Sequence, residues 1–207
     1  MKTVTLENGE EAFYNEHGVM RYQGQILDFR PHGHGIQYDE NGFKYYEGEF
    51  QNGKSHGQGT QYYEGGEQIY YQGDFYEAAP HGNGVCYHLN GNKQYEGGLK
   101  DARPDGFGIS YDVNGNKEYE GEFKNGDPDG NGMEFYNGVL AYEGGFKEGI
   151  RNGYGVEYDE NGIKRVEGDF VNGLGHGYGV VYDENGNKRS EGQFVNGDLN
   201  GQGITYD

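Results

Sequence analysis

One register governs this chain from end to end. Taking the glycine of each Tyr-(Glu/Gln)-Gly triplet, or its equivalent, as position zero gives Gly24, Gly48, Gly73, Gly97, Gly121, Gly144, Gly168 and Gly192. The intervals are 24, 25, 24, 24, 23, 24 and 24 residues. Nine and eleven residues after every zero stands a Gly-x-Gly, and fourteen after it a ring: Tyr38, Tyr62, Tyr87, Tyr111, Phe135, Tyr158, Tyr182 and Tyr206. A fixed period in the range of about 20–50 residues is the mark of a repeat architecture, in which each unit is stable only against its neighbours. One period upstream, Gly9, Tyr14 and Gly18 fall in register, so residues 1–19 read as a degenerate N-terminal half-repeat or cap, and residues 20–207 as eight tandem repeats of about 24 residues.

Each copy carries strand and turn signals. Tyr46, Gly48 and Phe50 alternate with Glu47 and Glu49, and the return segment Gln58, Thr60, Tyr62 alternates as well. Asn-Gly pairs stand between the two segments (Asn52, Asn125, Asn172, Asn196) and again after the ring (Asn41, Asn90, Asn114, Asn137, Asn161, Asn185), as hairpin turns require. The prolines Pro31, Pro80, Pro104 and Pro128 all lie seven residues after zero, inside the expected first loop, where no ladder hydrogen bond is lost. No helical periodicity is present. The expected fold is all-β: an elongated, single-layer, twisted antiparallel sheet of tandem β-hairpins, about seventeen strands at roughly 4.8 Å spacing.

Composition explains what holds such a sheet together. A mean hydropathy of -1.06 and a net charge of -19 would suit a disordered chain. Yet 21 tyrosines and 11 phenylalanines recur at fixed repeat positions, so rings replace an aliphatic core. The expected ladders are Tyr22, Tyr46, Tyr71, Tyr95, Tyr119 and Tyr142; then Phe50, Phe75, Phe123, Phe146, Phe170 and Phe194; then the ring fourteen after zero. Cross-strand pairs contribute about 0.2–1 kcal/mol each. Gly48, Gly57, Gly59, Tyr62, Gly121, Gly130, Gly132 and Phe135 are accordingly read as structural positions of the repeat.

The residues then point to a family. "YEGEFQNGKSHGQGTQYYEGG" closely resembles the MORN repeat, through Tyr46, Gly48, Asn52, Gly53, His56, Gly57, Gly59 and Tyr62. The period and the "YDENGNK" turn look like the bacterial variant. The chain departs from the pattern at Asp105, Asp129, Asn152 and Asn200, in the histidine slot, and at Val166 and Ser190, in the tyrosine slot. The resemblance implies the same sheet of hairpins and roles in protein association, dimerisation or lipid binding. Some bacterial relatives look like immunity proteins or antitoxins.

Chemistry finds little purchase. The three serines and the single Cys86 are scattered over separate copies, and the acidic slot Glu47, Glu96, Glu120, Glu143, Glu167, Glu191 is a ladder of equivalent sites. General acid–base work needs carboxylates in contrasting environments. His32, His56, His81 and His176 share one slot, and adjacent hairpins place equivalents roughly 10 Å apart, too far to share an ion. Neither a catalytic residue, a metal site nor a cofactor is expected. Against 35 acidic residues the 16 basic ones disfavour nucleic-acid phosphates and direct membrane binding, and suit a basic protein surface. No stretch has signal-peptide character and one cysteine makes no internal disulfide, so the expected location is cytoplasmic.

Exceptions between copies mark where function can sit. Ten after zero stand His34, Gln58, Asn83, Asn131 or Gln202, but three copies carry Phe107, Tyr154 and Tyr178. Counting by parity puts these on the face of the aromatic ladder. With Tyr76 and Val181 they form the candidate partner-binding set. The expected function is a non-catalytic protein-binding scaffold; the alternative is an acidic immunity protein or antitoxin that covers a basic toxin, such as a nuclease. Open sheet edges also allow a homodimer.

Overall fold

In the computed structural model the described residues are 2–7 and 9–206, with the side chain of Gln202 outside them. Two compact units divide the chain, residues 1–103 and 104–207. Unit 1 contains β1 (Lys2–Thr5), β2 (Glu11–Tyr14), β3 (Met20–Leu27), β4 (Arg30–Tyr38), β5 (Lys44–Gln51), β6 (Lys54–Tyr62), β7 (Ile69–Tyr76), β8 (Ala79–Tyr87) and β9 (Lys93–Lys100). Unit 2 contains β10 (Arg103–Tyr111), β11 (Lys117–Lys124), β12 (Asp127–Tyr136), β13 (Val139–Lys147), β14 (Ile150–Tyr158), β15 (Lys164–Val171), β16 (Leu174–Tyr182), β17 (Lys188–Val195) and β18 (Asp198–Thr205). Within each unit every strand pairs antiparallel with the next, a meander one layer thick. Among the described residues there is no helix. Strands β1 and β2 form a further hairpin, with Thr3 opposite Phe13.

Two kinds of turn join the strands. The first is a two-residue loop: Gln51 pairs Lys54, and Asn52 (φ 53°) and Gly53 (φ 86°) are both left-handed, as a type I′ turn demands. Phe29, Ala78 and Ala102 occupy the second left-handed position at φ 60°, 75° and 62°, which L-residues adopt only at a cost. The second turn is longer and organised by an aspartate. Asp39 Oδ1 accepts the Asn41 and Phe43 N–H groups at 2.9 Å each, and Asp112, Asp159 and Asp183 repeat the arrangement. Only at Asn137–Gly138 does the second turn shrink to the two-residue form.

The core is a chain of rings seated on glycine. Gly48 pairs Gly59, and the Tyr46 ring lies flat across both: a Cβ on Gly59 would fall well inside 3.0 Å of three Tyr46 atoms. The same holds for Gly35, Gly84, Gly132 and Gly155 against Tyr22, Tyr71, Tyr119 and Tyr142. Each ladder tyrosine donates its hydroxyl proton to the backbone carbonyl three residues on, as Tyr46 does to Glu49 at 2.9 Å. Edge-to-face contacts link the rings: Tyr22–Phe50, Tyr46–Phe50, Tyr46–Phe75 and Tyr71–Phe75 in unit 1, and Tyr119–Phe123, Tyr119–Phe146, Tyr142–Phe146 and Tyr142–Phe170 in unit 2. Tyr46, Tyr71 and Tyr142 are completely buried in a sheet that has only one layer.

Three expectations are corrected here. The prolines lie within strands, not in the loop: Pro80 pairs Phe75 and Pro128 pairs Phe123. There they flank a bulge, where three residues such as His56, Gly57 and Gln58 oppose only Glu49. Their carbonyls accept an N–H from the next turn, as Gly53 gives to Pro31. The ring fourteen after zero is off the ladder face: the Tyr62 hydroxyl meets the Glu47 carboxylate at 3.3 Å. Phe107, Tyr154 and Tyr178 are off it too, opposite Glu122, Asp169 and Gln193. The cause is geometric. A two-residue turn pairs positions whose numbers sum to an odd total, so parity reverses on crossing it.

Candidate binding surface

The face opposite the ladder is the one the repeat leaves free. In unit 2 it carries three rows. Innermost is an apolar row twelve after zero: Ile109, Met133, Val156 and Val180, each partly or fully buried. Beside it the rings Phe107, Tyr154 and Tyr178 stand out into solvent, 61%, 59% and 54% exposed. The third row is acidic.

Glu167 shows how the rows are tied together. Its Oε1 accepts the Tyr154 hydroxyl at 2.6 Å, its Oε2 accepts the Tyr182 hydroxyl at 2.9 Å, and the Lys164 ammonium lies 2.8 Å away. The lysine bond, then the two hydroxyls, hold its pKa down to about 2. The same carboxylate pushes the Tyr154 phenol up to about 12. Tyr158 and Tyr206 donate to Glu143 and Glu191 at 2.7 and 2.9 Å, and Lys188 pairs with Glu191 at 2.6 Å. In five copies a lysine three residues earlier pairs with the glutamate before zero: Lys44–Glu47, Lys93–Glu96, Lys117–Glu120, Lys164–Glu167 and Lys188–Glu191. Glu122 and Asp169, directly opposite Phe107 and Tyr154, have no ion pair among the described residues. Exposed rings therefore lie beside uncompensated negative charge. Gln202, in the same row, lies outside the described side chains.

The other candidates fall elsewhere. Tyr76, in unit 1, is exposed and packs between His56 and His81 at ring distances of 5.4 and 5.6 Å. Val181 is on the ladder face opposite Val166. Of the positions read as structural, Gly57 and Gly130 (φ 62° and 118°) make room for the Glu49 and Glu122 carboxylates, while Gly121 and Gly132 seat the Tyr119 ring. Phe135, like Tyr62, serves the opposite face, with the Lys117 ammonium 5.2 Å from its ring centre. In the histidine slot, Asp105 and Asp129 accept turn N–H groups, whereas Nδ1 of His32, His81 and His176 is buried without a hydrogen bond. No cluster of three or more His, Cys, Asp or Glu side chains that could hold a metal occurs among the described residues. Beside the short turn at Asn137–Gly138, Leu140, Phe135 and Tyr158 line an open cavity of about 480 Å³. Its one cation, Arg151, is committed to Glu134 and Glu157.

Sequence reasoning found the glutamate slot but missed the apolar row beside it. Its signal was present: position +12 is apolar throughout unit 2 but Thr60 in the second copy.

The profile of the MORN repeat matches residues 22–43, 46–68, 71–93, 95–117, 119–139, 142–164, 167–188 and 191–206. The chain belongs to the MORN repeat family. No curated protein matches it. MORN repeats are commonly modules that interact with proteins or membranes. No helix among the described residues is long and apolar enough to cross a membrane.

Proposed function

We propose that this MORN-repeat chain is a non-catalytic binding module whose unit 2 engages a basic protein surface through the face opposite its ring ladder. The observation that carries the reading is the exposure of Phe107, Tyr154 and Tyr178 beside Glu122 and Asp169. Rings anchor protein interfaces, and carboxylates without ion pairs steer cationic partners. The net charge of -19 adds long-range attraction and works against anionic lipid or nucleic acid. A cytoplasmic location is part of the same proposal. Neutralising a basic toxin is a narrower case of the same charge logic, and no residue geometry singles it out.

The test is affinity capture with the full chain, partner identification by mass spectrometry, and repetition with Phe107→Ser, Tyr154→Ser and Tyr178→Ser combined. Capture should fall about tenfold or more and weaken with added salt, while the strand circular-dichroism signal persists. Undiminished capture by the folded triple variant refutes the proposal.

A further inference from the structure

One place on the ladder face is built like its neighbours but lacks their contents. In copies one to six a ring occupies the slot over the glycine pair: Tyr22, Tyr46, Tyr71, Tyr95, Tyr119 and Tyr142. The residue seven after zero lies in register with the ladder phenylalanine, and in the sixth copy its side chain covers the ring. The Arg151 guanidinium lies 4.7 Å from the Tyr142 ring centre. In the eighth copy, where Ser190 replaces the tyrosine, Leu199 at that same position drops onto Gly203 and fills the slot from above. The seventh copy has neither device. Val166 stands for the tyrosine and Gly175 for the covering residue, leaving a cavity of about 220 Å³ lined by Val166, Gly168, Phe170, Gly175, Gly179 and Phe194. Gly168 still pairs Gly179, so the floor on which a ring lies flat is intact.

We propose that this cavity is a receptor slot for a tyrosine side chain presented by another polypeptide. The chain itself defines the ligand, because it places that side chain in the equivalent slot six times. An apolar cavity of about 150 Å³ already takes up a benzene ring. A phenol seated between Phe170 and Phe194 has its hydroxyl beside the Asp169 carbonyl, the acceptor equivalent to the Glu49 carbonyl that binds Tyr46. Phe194 now leans over Gly179, its ring edge 3.3 Å from where a Cβ would stand, and it moves aside on binding.

The test uses the full chain, amide NMR and two probes: p-cresol, and acetyl-tyrosine N-methylamide as a tyrosine within a backbone. Both should give saturable shifts at Gly168, Gly179 and Phe194. Toluene, lacking the hydroxyl, should bind more weakly. Val166→Tyr and Gly175→Pro each restore what other copies carry, one filling the slot and the other covering it. Each should weaken both probes about tenfold or more, and Val166→Tyr should raise the melting temperature. No shifts with either probe, or equal binding by both folded variants, overturns the slot. Binding of p-cresol without the amide overturns the polypeptide source.

Discussion

If the tyrosine ring and the glycine beneath it form one mechanical unit, substituting either should do the damage of both. Gly59 is the informative partner because its φ is not left-handed, so alanine there strains no backbone. The three atoms nearest its added methyl all belong to Tyr46, whose ring must leave its seat. Tyr46→Ala removes a ring that is 1% exposed, with edge-to-face contacts to Phe50 and Phe75 at 5.0 and 4.8 Å and a 2.9 Å hydrogen bond to the Glu49 carbonyl. Loss of a buried aromatic side chain costs about 3–5 kcal/mol. Gly59→Ala should cost about as much, since it expels the same ring. The double variant should cost no more than either single one, a coupling energy about 3–5 kcal/mol in size, at or above the upper end for contacting residues. Tyr46→Phe isolates the hydroxyl and should cost about 1 kcal/mol. Urea unfolding of the parent and the four variants by circular dichroism measures every cost. Additive costs, or a Gly59→Ala variant as stable as the parent, would show that the ring does not depend on the glycine seat.

Four further outcomes follow from the same geometry. Ala102→Gly should raise stability by about 1 kcal/mol by removing an L-residue from φ 62°, seen as a higher urea midpoint; no gain would mean the turn carries no strain. Glu167 has a folded pKa of about 2 against the usual 4.5, so its stabilisation is complete above pH 4.5 and is lost as pH falls towards 2. The stability difference between the parent and Glu167→Gln should shrink across that window and stay flat above it. Burial lifts the Cys86 thiol to about 11, so a disulfide reagent at about pH 8 should label it far more slowly than in urea-unfolded chain. Finally, the Phe107/Tyr154/Tyr178 triple serine variant should bind p-cresol as the parent does, and Val166→Tyr should leave protein capture intact, because the two sites use opposite faces of one layer.

The repeat, its hairpins and its ring ladder were legible because each depends on residue type at a fixed position. Tyr46, Gly48, Phe50 and Gly59 state their roles by spacing alone. What spacing could not supply was the sense of the faces. Alternation is a property of one strand, and the sign with which it enters the next strand depends on whether the turn holds an even or odd number of residues. Reading Phe107 and Tyr154 through the turn by simple parity therefore put them on the wrong side. The prolines were misplaced for a related reason: a bulge of three residues against one moves the strand boundary without changing any spacing. At the seventh copy both substitutions, Val166 and Gly175, were visible. That they act on one slot was not, because only the structure brings the residue seven after zero over the ring two before it.

The division of faces also bears on the proposed role of the exposed rings. A ring that served cohesion would be buried on glycine, as Tyr71 and Tyr142 are at 0% exposure. Tyr154 instead keeps more than half its surface in water while its hydroxyl is held by Glu167. That bond limits the rotamer freedom an exposed ring would otherwise lose on binding, so the entropic cost of docking is met in part before a partner arrives. Phe107 and Tyr178 extend the same row, interrupted by Asn131, on strands set two apart and roughly 10 Å from the nearest equivalent. A flat partner would leave the gap at Asn131 unfilled. A partner with a side chain projecting there, flanked by cations placed to meet Glu122 and Asp169, uses every feature of the face at once.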